Sequence, residues 1–263
     1  RDEVADLANQ YSDSLKSDPE VWNEPEKYFD QIIEIDLDTL EPHLVGPHTP
    51  DLAHPVSQMQ RDVESEGYPE NVSAALIGSC TNSSYQDIGR ATHIVKQAAA
   101  VGLKVKSHLL VSPGSHQIHD TIERDGQLEV LQSVGATVLA NACGPCIGQW
   151  DRQDVPKGTS NSIVTSFNRN FRRRADGNEA TLAFIGSPEM VTALAFAGKL
   201  GFNPVTDTLE LPDGTPFKFE APTAPELPEQ GFTVKDAGYA APAEDGSGVE
   251  VLVSETSERI QLL

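Results

Sequence analysis

Polar and apolar positions change period along the chain. Over residues 2–16, Val4, Leu7, Ala8, Tyr11 and Leu15 recur at helical spacing, which predicts an amphipathic helix. The stretch 18–28, with Pro and Trp, breaks that pattern, and Gln31-Ile32-Ile33-Glu34-Ile35-Asp36 predicts a strand. Residues 41–55 carry Pro42, Pro47, Pro50 and Pro55 with His43, His48 and His54, and predict an ordered but irregular connection.

A regular alternation then begins. Ser73–Gly78 is a short apolar strand, and Tyr85–Ala100 a helix with Ile88, Ala91, Val95 and Ala98 on one face. Val105–Val111 predicts a strand, and 116–134 helical material interrupted near Gly126. Further strands are expected at Thr137–Ala140, Ile163–Phe167 and Leu182–Ile185. Ser187 as N-cap and Pro188 in the first turn announce a helix over 188–199. Strands alternating with helices predict an α/β fold, a three-layer α/β/α arrangement around a mostly parallel sheet. Past residue 203 come Pro204, Pro212, Pro216, Pro222, Pro225, Pro228 and Pro242, with many Gly and acidic residues. So long a stretch is unusual inside one compact domain, so 204–263 reads as an extended Pro-rich linker toward a further domain.

Composition narrows the function classes. Forty acidic residues against nineteen Lys and Arg give a net charge of −21, which argues against nucleic acid and anionic membranes as partners. Solubility is the simple reading of that charge, and adaptation to high salt a further one. No run reaches the roughly 18 apolar residues needed to span a bilayer. Arg1–Leu7 has no apolar core of a signal peptide and no initiator Met, so the chain is expected to begin inside a longer protein. An odd, sparse set of three Cys makes a poor disulfide framework and suggests a reducing compartment.

Three motifs follow three predicted strands: Gly78-Ser79-Cys80-Thr81-Asn82-Ser83-Ser84, Asn141-Ala142-Cys143-Gly144-Pro145-Cys146-Ile147-Gly148, and Asn168-Arg169-Asn170-Phe171 with Arg172-Arg173-Arg174. Ligand sites of open parallel sheets lie beyond the carboxyl ends of the strands, so the three are expected to converge on one edge. Three thiolates fall one short of a closed metal site. A cubane held by three Cys leaves one iron free to act as a Lewis acid. The alternatives are a buried apolar role for Cys80, and a Zn half-site or redox pair for Cys143 and Cys146. Four of the ten Arg fall within 169–174, a cationic patch suited to a polycarboxylate or, alternatively, a solvated basic turn. Asn168 could contact a cluster sulfur or a substrate oxygen, or simply satisfy loop backbone. The seven His are read as structural or surface residues.

Together these motifs resemble the aconitase family, and its mitochondrial type in particular. The resemblance runs through Thr49-Pro50-Asp51-Leu52-Ala53-His54-Pro55, the Gly78–Tyr85 loop, Ile122–Gly126, Leu139–Asp151, Thr165–Phe171, Ser187-Pro188-Glu189 and Arg259–Leu263. It implies citrate–isocitrate isomerisation through cis-aconitate, with a [4Fe–4S] cluster on Cys80, Cys143 and Cys146. Arg169 and Arg174 match substrate-binding arginines, and Asn168 a residue contacting the cluster. Where Arg173 stands the family usually carries a small residue, so Arg172 or Arg173 competes with Arg174 by position. The family's catalytic serine, an Asp/His set and further arginines lie in other domains, and no catalytic base is expected in this chain. The resemblance therefore divides the chain into the tail of a preceding domain (1–43), an iron–sulfur domain (44–203) and a linker (204–263). It implies an inactive segment of a longer, monomeric enzyme of a bacterial cytoplasm or mitochondrial matrix. A homoaconitase or methylaconitate-type hydratase is the rival within the class. A non-catalytic Zn module and an RNA-binding protein are the rivals outside it.

Overall fold

The computed structural model describes residues 2–234, 241–242, 244–248, 250 and 252–259. The chain opens with short helices α1 (Asp2–Gln10), α2 (Ser12–Leu15) and α3 (Pro19–Asn23). Strands β1 (His43–Val45) and β2 (Ala53–Pro55) and helix α4 (Met59–Glu66) lead into β3 (Val72–Ile77). Then come α5 (Tyr85–Ala100), β4 (His108–Val111), α6 (His116–Arg124), α7 (Gln127–Ser133) and β5 (Thr137–Val138). β6 (Asn161–Thr165), β7 (Thr181–Ile185), α8 (Pro188–Ala197) and a small hairpin of β8 (Leu209–Glu210) and β9 (Pro216–Phe217) complete the order.

The main sheet has seven strands in the order β2-β1-β7-β6-β3-β4-β5. The run β7-β6-β3-β4-β5 is parallel throughout, and β1 and β2 add an antiparallel edge. This is the expected α/β class with a mostly parallel sheet. β3 is central, and its alternate residues feed two cores. Ala75 and Ile77 join Leu109, Val111, Val164 and Phe184 under helices α4 to α8. Ala74 and Leu76 join Ile163 and Ala183 on the opposite face. That second face has a thinner cover, made of Cys146, Phe167, Ala175 and Trp150 from irregular segments. One 3₁₀ turn, Gly144–Ile147, is its regular element.

Two expectations change, and a third gains detail. Residues 31–36 form no strand, and Ile33 stays 75% exposed. A strand needs a neighbour for its backbone groups, and no described segment pairs with this one. The connection 41–55 contains β1 and β2, whose antiparallel ladder pairs Leu44 with His54. Residues 204–234 are tied down: Gln97 exchanges two hydrogen bonds with Glu220, at 2.8 and 3.1 Å, and Phe232 packs edge-on to Tyr85. Thr223 N–H donates to His93 Nδ1 and Arg124 to Gly231 O, so the segment runs over α5 and α6. Ile260–Leu263, part of the motif ending the chain, lie outside the described residues.

Candidate metal centre

All five parallel strands end at one rim, and the loops leaving β3, β5 and β6 carry the chemistry. The β3 loop turns at Gly78, where φ is +122° and a side chain would lie 2.1 Å from Ser112 O, so only glycine fits. Gly78 N–H donates to Ser166 Oγ at 3.0 Å, and Asn82 Nδ2 to Ser166 O at 2.6 Å. Ser166 thus laces the Cys80 loop to the start of the arginine loop. A capping box of Ser84 and Asp87 starts α5 directly afterwards.

The C-x-x-C segment winds as the 3₁₀ turn, with Cys146 N–H donating to Cys143 O at 2.8 Å. This turns Cys146 inward against Ala74 and Leu76, at 7% exposure, while Cys143 and Cys80 are exposed. Cys146 Sγ lies 3.9 Å from Asn168 Oδ1. Gly148 approaches Arg174 so closely that a Cβ would stand 3.1 Å from its carbonyl oxygen. Asn141 Nδ2 donates to His116 Nδ1 at 2.9 Å, fixing the cysteine loop to the start of α6. The cysteine turn therefore touches both Asn168 and Arg174, and the Cys80 loop joins them through Ser166.

All three thiols are free. Among the described residues, the group whose ligand atoms all lie within 4.8 Å is His119, Asp120 and Glu123 on α6, not the thiols. Thiolates on one Zn stand about 3.8 Å apart for a Zn–S bond of about 2.3 Å. A cubane takes each thiolate on a different iron and wants them wider. The donor set, three thiols spread along one rim with no fourth, fits a cluster better than a single ion.

The four arginines separate. Arg172 Nη1 donates to Glu179 O at 3.4 Å, and Arg173 forms an exposed ion pair with the Glu179 carboxylate. Arg169 is exposed and has no hydrogen bond or ion pair among the described residues. Arg174 is half-buried, and its Nε is buried without a partner. Arg173 also sits at φ +66°, a conformation that glycine adopts freely and other residues reach at a cost of roughly 1–2 kcal/mol. Arg173→Gly is therefore expected to leave stability unchanged or raise it by up to about 1 kcal/mol, read from a denaturant midpoint.

Two neighbours carried no sequence signal beyond their place in a Pro-rich turn or an Asn-rich loop. Asn170 is buried, and its Nδ2 donates to Val45 O (3.2 Å) and Thr49 O (3.0 Å), pinning the 45–49 turn to the arginine loop. His48, in that turn, has both ring nitrogens buried without partners. Burial, and then the charge of Arg172, hold its pKa below the usual histidine value. The folded state thus resists a proton that the unfolded chain accepts. Its contribution is intact above the unfolded value of about 6.5 and is lost as pH falls through the depressed folded value. His48→Phe removes that loss, so its melting temperature should exceed the parent's at pH 5.5 by more than at pH 7.5. Equal differences at both pH values would sink this expectation.

A sequence model of the aconitase family (aconitate hydratase) matches residues 1–198. Relatives named mitochondrial aconitate hydratase are 51% identical in Gracilaria gracilis, 54% in Emericella nidulans and 53% in Saccharomyces cerevisiae, each over all of this chain. The chain spans 33% of the length of each of these relatives. This chain belongs to the aconitase family.

Proposed function

We propose that this chain is the cluster-bearing part of an aconitate hydratase that interconverts citrate and isocitrate through cis-aconitate. Cys80, Cys143 and Cys146 hold a [4Fe–4S] cluster, and Arg169 and Arg174 hold substrate carboxylates. The observation that carries this reading is the pair of uncommitted guanidinium groups on the rim that bears three free thiols, in a protein of net charge −21. When bound, the cluster supplies one iron without a protein ligand, a Lewis acid toward the substrate hydroxyl.

The chain's own residues orient. Each guanidinium fork fits a carboxylate with two parallel hydrogen bonds, which fixes the carbon skeleton as well as its charge. Asn168, beside Cys146, borders the thiolate side of the site. The groups that take a proton from the carbon next to a carboxylate, and deliver one to the departing hydroxide, belong to other parts of a protein about three times this length. The apolar side chains exposed along 4–40, such as Trp22 at 78%, support reading 1–43 as the tail of a preceding domain. In the same reading 44–203 is the iron–sulfur domain and 204–263 the linker. The protein works as a monomer in a reducing compartment, a mitochondrial matrix or a bacterial cytoplasm.

Anaerobic reconstitution with ferrous iron and sulfide tests the reading. Broad blue-violet absorption is expected, with citrate turnover in the full-length protein and none in the 263-residue chain. Tight Zn uptake without that absorption would overturn it. Faster turnover of a homologated or methylated substrate would move it to a related hydratase.

A further inference from the structure

The second face of the sheet poses a packing problem. Among the described residues no α-helix covers it, yet its covering segments carry Cys143, Cys146, Arg169 and Arg174. Both segments start at the rim. Residues 146–152 run down the face by way of Cys146 and Trp150, and 168–176 by way of Ala175. They arrive where β3, β6 and β7 begin, at Ser73, Asn161 and Thr181.

There they meet on one side chain. The Arg152 side chain is 3% exposed and uses its whole guanidinium fork. Nε and Nη2 donate to the two Asp154 oxygens at 3.0 and 2.6 Å. Nη1 donates to Asn161 Oδ1 at 2.9 Å and Asp176 Oδ2 at 3.3 Å, and Nη2 reaches Ser73 Oγ at 3.2 Å. Trp150 lies under the guanidinium at 4.8 Å. Asp176, whose side chain is also 3% exposed, accepts from Thr181 Oγ1 at 2.7 Å. The fork joins the far end of the cysteine segment to the far end of the arginine segment and both to the sheet.

We propose that Arg152 is a positioning residue: its fork pins both covering segments to the sheet and so fixes the cysteine turn against the arginine loop. The part that concerns substrate rests on the reading of Arg174 given above. The pin acts at a distance from the rim, through segments held elsewhere by the Gly148–Arg174 approach and the small apolar cluster. Lysine keeps the charge but cannot hold two carboxylates and an amide from one rigid plane.

The test uses the full-length protein with Arg152→Lys, Arg152→Met and Asp154→Asn. In the metal-free, reduced protein, iodoacetamide labelling of each cysteine is followed by peptide mapping. Local loosening should speed Cys146 labelling about 10-fold or more in Arg152→Met, less in the other two, with Cys80 within about 2-fold of the parent. If Arg152→Met does not fold, Arg152→Lys and Asp154→Asn should show the same selectivity at smaller amplitude. Cys80 and Cys146 accelerating together would mark a general stability role and overturn the proposal, as would an unchanged Cys146. In the reconstituted enzyme, Arg152→Lys should raise the KM for citrate about 10-fold with kcat within about 3-fold. Selective Cys146 labelling with an unchanged KM would support the pin on the cysteine turn and count against the substrate role of Arg174.

Discussion

If the proposed reading holds, replacing any one of Cys80, Cys143 and Cys146 by Ser should abolish cluster retention, and Cys146→Ser alone should also destabilise the fold. A serine hydroxyl does not ionise at neutral pH and is a poor ligand for iron that prefers soft thiolate. Loss of one corner leaves two thiolates on the rim, too few to hold a cubane. The difference between the three variants comes from burial. Cys80 and Cys143 are exposed, so serine there meets water and stability should change by no more than about 0.5 kcal/mol. Cys146 packs with Ala74, Leu76 and Ile163, where a hydroxyl lacks a strong partner at an expected cost of about 1–3 kcal/mol. Iron and sulfide content after anaerobic reconstitution, with a denaturant melt of the metal-free form, measures both effects. A Cys80→Ser protein that keeps its full iron content would remove that residue from the site.

Elements that stabilise themselves locally were legible in the sequence. The helix expected at 85–100 has those bounds, because a capping box starts it and an unbroken apolar stripe carries it. The break near Gly126 is real, at φ +74° between α6 and α7. Ser187 caps α8 as expected, through Met190 N–H. What depends on a distant partner was not legible. The strand pattern at 31–36 has no neighbour to pair with among the described residues. Helix α4 buries only Met59 and Val63, too few positions to show a period. At the site, spacing placed all three loops at one rim, and only the resemblance singled out Arg174 over Arg172 and Arg173. The structure adds the positive φ of Arg173 and the contacts of Arg172 and Arg173 with Glu179. Arg152 carries no signal in the sequence, because its role exists only once Ser73, Asn161 and Asp176 are brought beside it.

The ranking of the arginines makes the other large prediction. In the full-length enzyme, Arg169→Met or Arg174→Met should lower kcat/KM for citrate about 10³-fold, taking each lost fork as two charge-assisted hydrogen bonds of about 1.5–3 kcal/mol. Lysine at either position restores the charge but not the planar fork, and should recover only part of the loss. Arg172→Met and Arg173→Met should stay within about 3-fold, because Arg172 reaches only the Glu179 main-chain oxygen and Arg173 forms an exposed ion pair with its carboxylate, worth about 0–1 kcal/mol. The contrast separates recognition from bulk charge. Each of the four variants removes one positive charge from the same short loop, so an effect of overall electrostatic attraction would appear in all of them and would fade with added salt. A fork on a carboxylate is specific to its position and far less sensitive to salt. Steady-state kinetics at two ionic strengths decide the matter. Equal losses across the four, vanishing in high salt, would reduce the cluster of arginines to a basic patch and leave the substrate carboxylates without assigned partners in this chain.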